Sequence, residues 1–197
     1  MEKRKGSKMR FLVHLILFFI PLKKMRKRYR NAVQNFVYGA PVRRKAKSIG
    51  GGLRVRNPSS VTSKTTIGEC VSLGGVEVYG GGKCDIGSYS HFGAEVLILT
   101  QNHNYEGATL PYDNTFMFKE VVVGDAVWVG SRVTILPGTR IGDGAIIQAG
   151  AVVHGEIPSC AIAGGNPAKV FAWRDKSHFA ELRDAGRFYR KEEALKK

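Results

Sequence analysis

From Val123 onward an aliphatic residue returns at every sixth position: Val123, Val129, Ile135, Ile141, Ile147 and Val153. Four places after each stand Val127, Val133, Thr139, Ala145, Ala151 and Ile157, mostly small or β-branched. Glycine follows the aliphatic in VGDAVW, VGSRVT and IGDGAI. An α-helix would rotate position i+6 about 120° off its starting face. A plain strand would alternate with period two. A strict hexad fits a coil with flat sides, each a short strand whose aliphatic points inward, with Gly or Asn/Asp turning the corner. A weaker register of the same period runs upstream through Ile49, Val55, Val61, Ile67, Leu73 and Tyr79, then, after a one-residue slip, through Ile86, Phe92 and Ile98. Three sides per coil give about five coils, and strand stacking makes them about 24 Å tall. The predicted fold class is all-β, a β-solenoid over residues 48–171.

The hexad is lost between Ile98 and Val123, and the predicted excursion loop covers residues 99–121. A long loop inside a compact repeat is usually functional. This one holds His103, Tyr105, Tyr112, Phe116 and Phe118. After the repeat, Phe179, Leu182, Ala185, Phe188 and Tyr189 recur at helical spacing. They predict a C-terminal helix over residues 172–197 that caps the open end of the stack.

Charge changes the picture at the other end. Residues 1–47 hold 15 Lys/Arg and one acid, whereas the remaining 150 residues hold 16 bases and 15 acids. The body is neutral, so no basic face for nucleic acid is expected. The arm contains FLVHLILFFI, ten residues from Phe11 to Ile20, followed by Pro21 and KKMRKRYR. Ten apolar residues are too few to span a bilayer, which takes roughly 20 in a helix. A basic run stands where a signal peptide would need a small-residue cleavage site. Two readings stay open. The arm packs on the domain or a neighbouring subunit, or residues 9–30 dock on an anionic membrane surface, with Lys23, Lys24, Arg26, Lys27, Arg28 and Arg30 each contributing ~1 kcal/mol. Cys70, Cys84 and Cys160 form no CxxC pair and are odd in number. They suit neither a disulfide framework nor zinc, and fit a reducing cytosol.

The runs IGDGAIIQAGAVVHGEIPSCAIAGGNPAKV, VGDAVWVGSRVTILPGTR and TQNHNY resemble the hexapeptide-repeat acyltransferases over residues 49–173. The branch is that of galactoside, maltose, nodulation-factor and capsular-polysaccharide O-acetyltransferases. The resemblance implies a left-handed parallel β-helix, a homotrimer with sites between subunits, and acetyl-CoA as donor. It implies His103 as catalytic base, lying 17 residues after Ile86. Trp128, Gly130, Ser131, Ala149, His154 and Lys169 correspond to the coenzyme groove, with Arg174 as a further phosphate partner and a backbone N–H of Gly130 or Ser131 as oxyanion donor. The family's sugar-binding carboxylate has no counterpart around Gly80, Gly81 and Gly82.

Acetyl transfer from a thioester to a hydroxyl needs a base for the hydroxyl proton and a donor for the developing oxyanion. A neutral imidazole suits the first role at neutral pH. Asp85 precedes His103 by 18 residues, one coil, and is the candidate for orienting its ring. Asp85, His91 and Tyr105 are the candidate substrate-side residues. No metal site is expected, because a zinc hydrase of this fold needs converging imidazoles and only His103 occupies the relevant stretch. The expected activity is O-acetylation of a sugar in surface-polysaccharide synthesis, in a bacterial-type cytoplasm or at the inner face of its membrane. The alternatives are a drug-modifying acetyltransferase and a non-catalytic scaffold.

Overall fold

The computed structural model describes residues 23–189 and 191. The apolar stretch of the arm therefore lies outside the described residues. The body winds through three parallel sheets. The first face stacks Ser48–Ile49, Thr65–Ile67, Cys84–Ile86, Val121–Val123, Arg140–Ile141 and Glu156–Ile157. The second stacks Arg54–Val55, Ser72–Leu73, His91–Phe92, Trp128–Val129, Ile146–Ile147 and Ala161–Gly165. The third stacks Val76–Tyr79, Val96–Leu99, Thr134–Ile135 and Val152–Val153, with Ser60 bridging to Glu77 below them. The result is five coils and two sides of a sixth, a parallel β-solenoid as the period required.

Register turns the hexads into ladders. Ile67, Ile86, Val123, Ile141 and Ile157 stack in line on the first face, and Val55, Leu73, Phe92, Val129 and Ile147 on the second. Nearly all are removed from water, and each full burial of such a side chain is worth ~1.5–3 kcal/mol. Thr139 occupies a ladder position without penalty, because its hydroxyl donates to Leu136 O at 2.6 Å.

At the first corner the third residue after the inward aliphatic has a positive φ in all six windings: Gly52, Cys70, Tyr89, Ala126, Gly144 and Cys160. That conformation costs a non-glycine residue ~1–2 kcal/mol. Hydrogen bonds from the next coil offset it. Asp125 Oδ1 accepts from Ser88 N at 2.6 Å, and Asp143 Oδ1 accepts from Asp125 N at 2.8 Å.

Three expectations are corrected. Tyr79 does not continue the inward ladder. It is 56% exposed, and Val78, paired with Ile98, points inward instead. The slip falls earlier than expected, because the turn at Gly74–Gly75 is short. Between residues 172 and 189 the C-terminal segment is helical over Lys176–Asp184, here α2, which buries no residue. Asp175 caps its start by accepting from His178 N, and Gly186, with φ +63°, follows its end. The top of the stack is closed instead by the antiparallel pairing of Ala168–Trp173 with Ala161–Gly165. From α2 the chain returns down the first corner, with Phe179 beside Gly144 and Phe188 stacked on Tyr89 at 3.9 Å.

The bottom is closed by helix α1, Lys23–Lys45, whose Tyr38 and Val42 enter the core. Asn35 Oδ1 accepts from Val55 N at 2.9 Å, occupying a donor on the lowest strand of the second face. Among the described residues no helix is long and apolar enough to cross a membrane.

Candidate active site

The excursion is a β-hairpin. Gln101–His103 pairs antiparallel with Phe116–Phe118, and His103 stands opposite Phe116. The hairpin leaves the corner between the third and first faces, and its base locks into the Gly80–Gly82 run. Gln101 Oε1 accepts from Gly81 N at 2.7 Å, and Thr100 Oγ1 accepts from Gly82 N at 3.2 Å. A Cβ on Gly81 would lie 2.6 Å from the Phe118 ring. The three glycines that offered no sugar-binding carboxylate therefore form the seat of the hairpin.

His103 is exposed, and its ring is held by stacking. Tyr112 lies parallel to it, centroids 3.9 Å apart and planes 17° apart, and Phe116 flanks it at 4.8 Å. Asp113 sets the turn that delivers Tyr112. Its carboxylate accepts from Thr115 N at 2.8 Å, from Thr115 Oγ1, and from Ala108 N at 3.2 Å. The Thr115 hydrogen bonds hold the Asp113 carboxyl below its ordinary range. In sequence Tyr112 is only one aromatic of the loop; its stacking on the imidazole is visible only in three dimensions.

Asp85 does not orient His103. Its side chain accepts from Thr66 Oγ1 of the coil below, in line with Thr66 and Val122 on the first face. Tyr105 lies at the hairpin tip, 63% exposed. His91 and Trp128 are neighbours in register on the second face, with Trp128 57% exposed and the His91 ring 5.5 Å from Tyr189. A shallow depression lined by Arg54, Arg56, Cys70, Ser72, His91 and Tyr189 lies there, away from the hairpin.

Gly130, Ser131 and Ala149 come together at the corner between the second and third faces. A Cβ on Gly130 would lie 2.5 Å from Ala149 N. Ser131 Oγ accepts from Ala94 N at 3.0 Å, and Gly150 N donates to Ser131 O at 2.9 Å. Gly130 N already donates to Ile147 O at 2.8 Å, so it is excluded as an oxyanion donor. Ser131 N has no acceptor among the described residues. His154 is exposed at the third-to-first corner two coils above the hairpin, and Lys169 is exposed on the closing strand pair. Arg174 is anchored at the first corner, its Nε donating to Gly144 O at 2.6 Å.

One protomer thus carries the imidazole at one edge of the third face and Ser131 and Ala149 at the other. Leu97, Thr134 and Val152 are aligned on the face between them. An exposed indole, small residues at a tight corner and a lysine above them fit a long, polyphosphorylated thioester, which needs an open groove and a cation.

The bacterial transferase hexapeptide (six repeats) family matches residues 120–155. The chain is 37% identical over 93 residues to WbbJ of Escherichia coli (strain K12), named for lipopolysaccharide-biosynthesis O-acetyl transfer, covering 43% of this chain and 47% of that one. It is 35% identical over 111 residues to a chloramphenicol acetyltransferase of Agrobacterium fabrum, covering 48% and 50%. The chain spans about half the length of these curated relatives. Among solved structures, a galactoside acetyltransferase in complex with coenzyme A superposes with a TM-score of 0.57 at 20% identity, covering 89% of this chain and 84% of that one. The family match covers residues 120–155, its six-residue period continues through the stacked coils on either side, and the body shares its fold with that acetyltransferase.

Proposed function

We propose that this chain transfers an acetyl group from acetyl-CoA to a hydroxyl of a sugar in capsule, O-antigen or exopolysaccharide assembly. The observation that carries the reading is His103: an exposed imidazole on a hairpin whose base and turn are both hydrogen-bonded and whose ring is stacked on Tyr112. Acetyl-CoA supplies the acyl group as an activated thioester. His103 accepts the proton of the acceptor hydroxyl as its oxygen attacks, and returns that proton to the departing thiolate. Ser131 N–H faces the charge that develops on the carbonyl oxygen. Trp128, Ala149, His154 and Lys169 line the groove, with the Lys169 charge toward the phosphates. Because His103 and His154 stand at one edge of the third face and Ser131 and Ala149 at the other, the working unit is a homotrimer in which one chain's hairpin faces its neighbour's corner. The relative named for lipopolysaccharide synthesis supports a glycan acceptor, presented at the cytoplasmic face of the membrane.

The chloramphenicol acetyltransferase relative supports a second reading, a drug acceptor at the same site. Thioester cleavage with acetyl-CoA and a panel of sugars, nucleotide sugars and chloramphenicol separates the two. Replacing His103 by Ala should lower kcat roughly 10²–10⁴-fold with the solenoid intact. Unchanged turnover in a folded His103→Ala protein would overturn the assignment.

A further inference from the structure

Helix α1 has two faces, and the body covers only one of them. Tyr38 and Val42 are buried in the core, and Asn35 and Arg43 hydrogen-bond to the lowest coil, Arg43 Nη2 donating to Leu53 O at 3.3 Å. The opposite side presents Tyr29, Ala32, Phe36 and Ala40 at spacings of three and four residues, all exposed. Phe36 is 77% exposed and Tyr29 48%. A phenylalanine that open to water on a helix already anchored by its other side calls for a partner. The surrounding charge names its chemistry. Residues 23–47 hold ten Lys/Arg and no acid. Of these, Arg30, Arg44, Lys45 and Lys47 are exposed. No carboxylate interrupts the run, so a neutral or basic protein surface would be repelled or unpaired there. Aromatic side chains among uninterrupted bases match the boundary layer of an anionic bilayer, where rings enter the headgroup level and bases meet lipid phosphates. At 23 residues, α1 is about 35 Å long, enough to lie flat across several headgroups.

We propose that the outer face of α1 is a membrane-docking surface for anionic phospholipid, which sets the solenoid on the bilayer by its N-terminal end. This deepens the reading of a membrane-presented acceptor by naming the surface that meets the lipid. Its test requires no acceptor or turnover, so either idea can fail without the other.

The full chain is sedimented with phosphatidylcholine vesicles and with vesicles of phosphatidylcholine and phosphatidylglycerol, at low and high salt. The expected result is binding to the anionic vesicles that falls steeply with salt. Combined Arg30→Glu, Arg44→Glu and Lys45→Glu substitutions should weaken that binding at least about tenfold, since each base contributes separately. Phe36→Ser, at an exposed site that leaves the core intact, should weaken it severalfold and leave the mass of the assembly and thioester cleavage unchanged. Equal binding to neutral and anionic vesicles would overturn the proposal. So would α1 variants that bind like the unmodified chain, which would assign any lipid affinity to residues 1–22. A change in oligomeric mass with Phe36→Ser, or tighter association with duplex DNA than with anionic vesicles, would give the face to a protein or a nucleic acid instead.

Discussion

Replacing Gly130 by Ala tests whether the coil stack also sets the geometry of the proposed coenzyme corner. The new Cβ would lie 2.5 Å from Ala149 N and 2.8 Å from Ala149 Cα. Comfortable contact needs about 3.5 Å, so coils four and five must separate by roughly 1 Å at that corner. Both neighbours are backbone, and neither can swing away. Overpacking of this kind costs ~1–3 kcal/mol, and in a chain of this size each kcal/mol lowers Tm by about 2–4 °C. Two comparisons isolate the cause. Gly51→Ala adds a methyl where nothing lies within 4 Å and should change stability by no more than about 0.5 kcal/mol. Gly138→Ala meets only the flexible Lys119 side chain but sits at φ +85°, so it should lose ~1–2 kcal/mol through backbone conformation alone. Only Gly130→Ala also displaces Ser131 from Ala149, so only it should raise the KM for acetyl-CoA. Denaturant midpoints with unchanged slope, paired with steady-state kinetics, read both effects. If Gly130→Ala melts with Gly51→Ala, or shifts stability without touching KM, the corner is not the coupled element described above.

Two further outcomes follow from side chains whose surroundings are specific. Burial pushes the Cys84 thiol up to about 12, while in the unfolded chain it titrates near its ordinary value of 9.0. The folded form therefore keeps a proton that the unfolded form loses. The associated stability is complete below about pH 9 and drains away as pH rises toward about 12, at up to ~1.4 kcal/mol per pH unit. Cys84→Ala should flatten that alkaline slope in urea titrations at successive pH values, and an unchanged slope would remove the thiol from the account. Stacking assigns Tyr112 the task of fixing the imidazole plane, so Tyr112→Ala should cut kcat about tenfold with little change in coenzyme KM. Tyr112→Phe, which keeps the ring, should restore turnover, and loss in both variants would point to the hydroxyl instead.

The winding was legible because close packing of stacked coils admits one inward aliphatic per side, and that demand prints itself at every sixth residue. Where the demand relaxes, the pattern no longer singles out the inward residue. Val78 and Tyr79 are both acceptable β-formers, and only the short turn at Gly74–Gly75 decides which one enters the core. The position of His103 was legible from the interruption in the repeat, but its supports were not. Asp85 has the spacing of a partner one coil away, yet a strand neighbour, Thr66, is nearer than the hairpin and takes the carboxylate. Nothing in the sequence shows that Arg174 is tied to Gly144 O, thirty residues away. Tyr112 is nine residues from His103 in sequence and touches it only because the hairpin folds back.

The hairpin springs from the third winding, whereas Ser131 and Ala149 belong to the fourth and fifth. Successive windings repeat after 18 residues, as from Val123 to Ile141, and each adds one strand spacing of ~4.8 Å. Height along this scaffold is consequently a digital quantity: the imidazole can be raised or lowered against the Ser131 corner by whole storeys but never by a fraction of one. Evolution of reach in such a protein has to proceed sideways, through the length of the hairpin, while insertion of a complete storey would carry the imidazole past the level of the Ser131 corner in a single step.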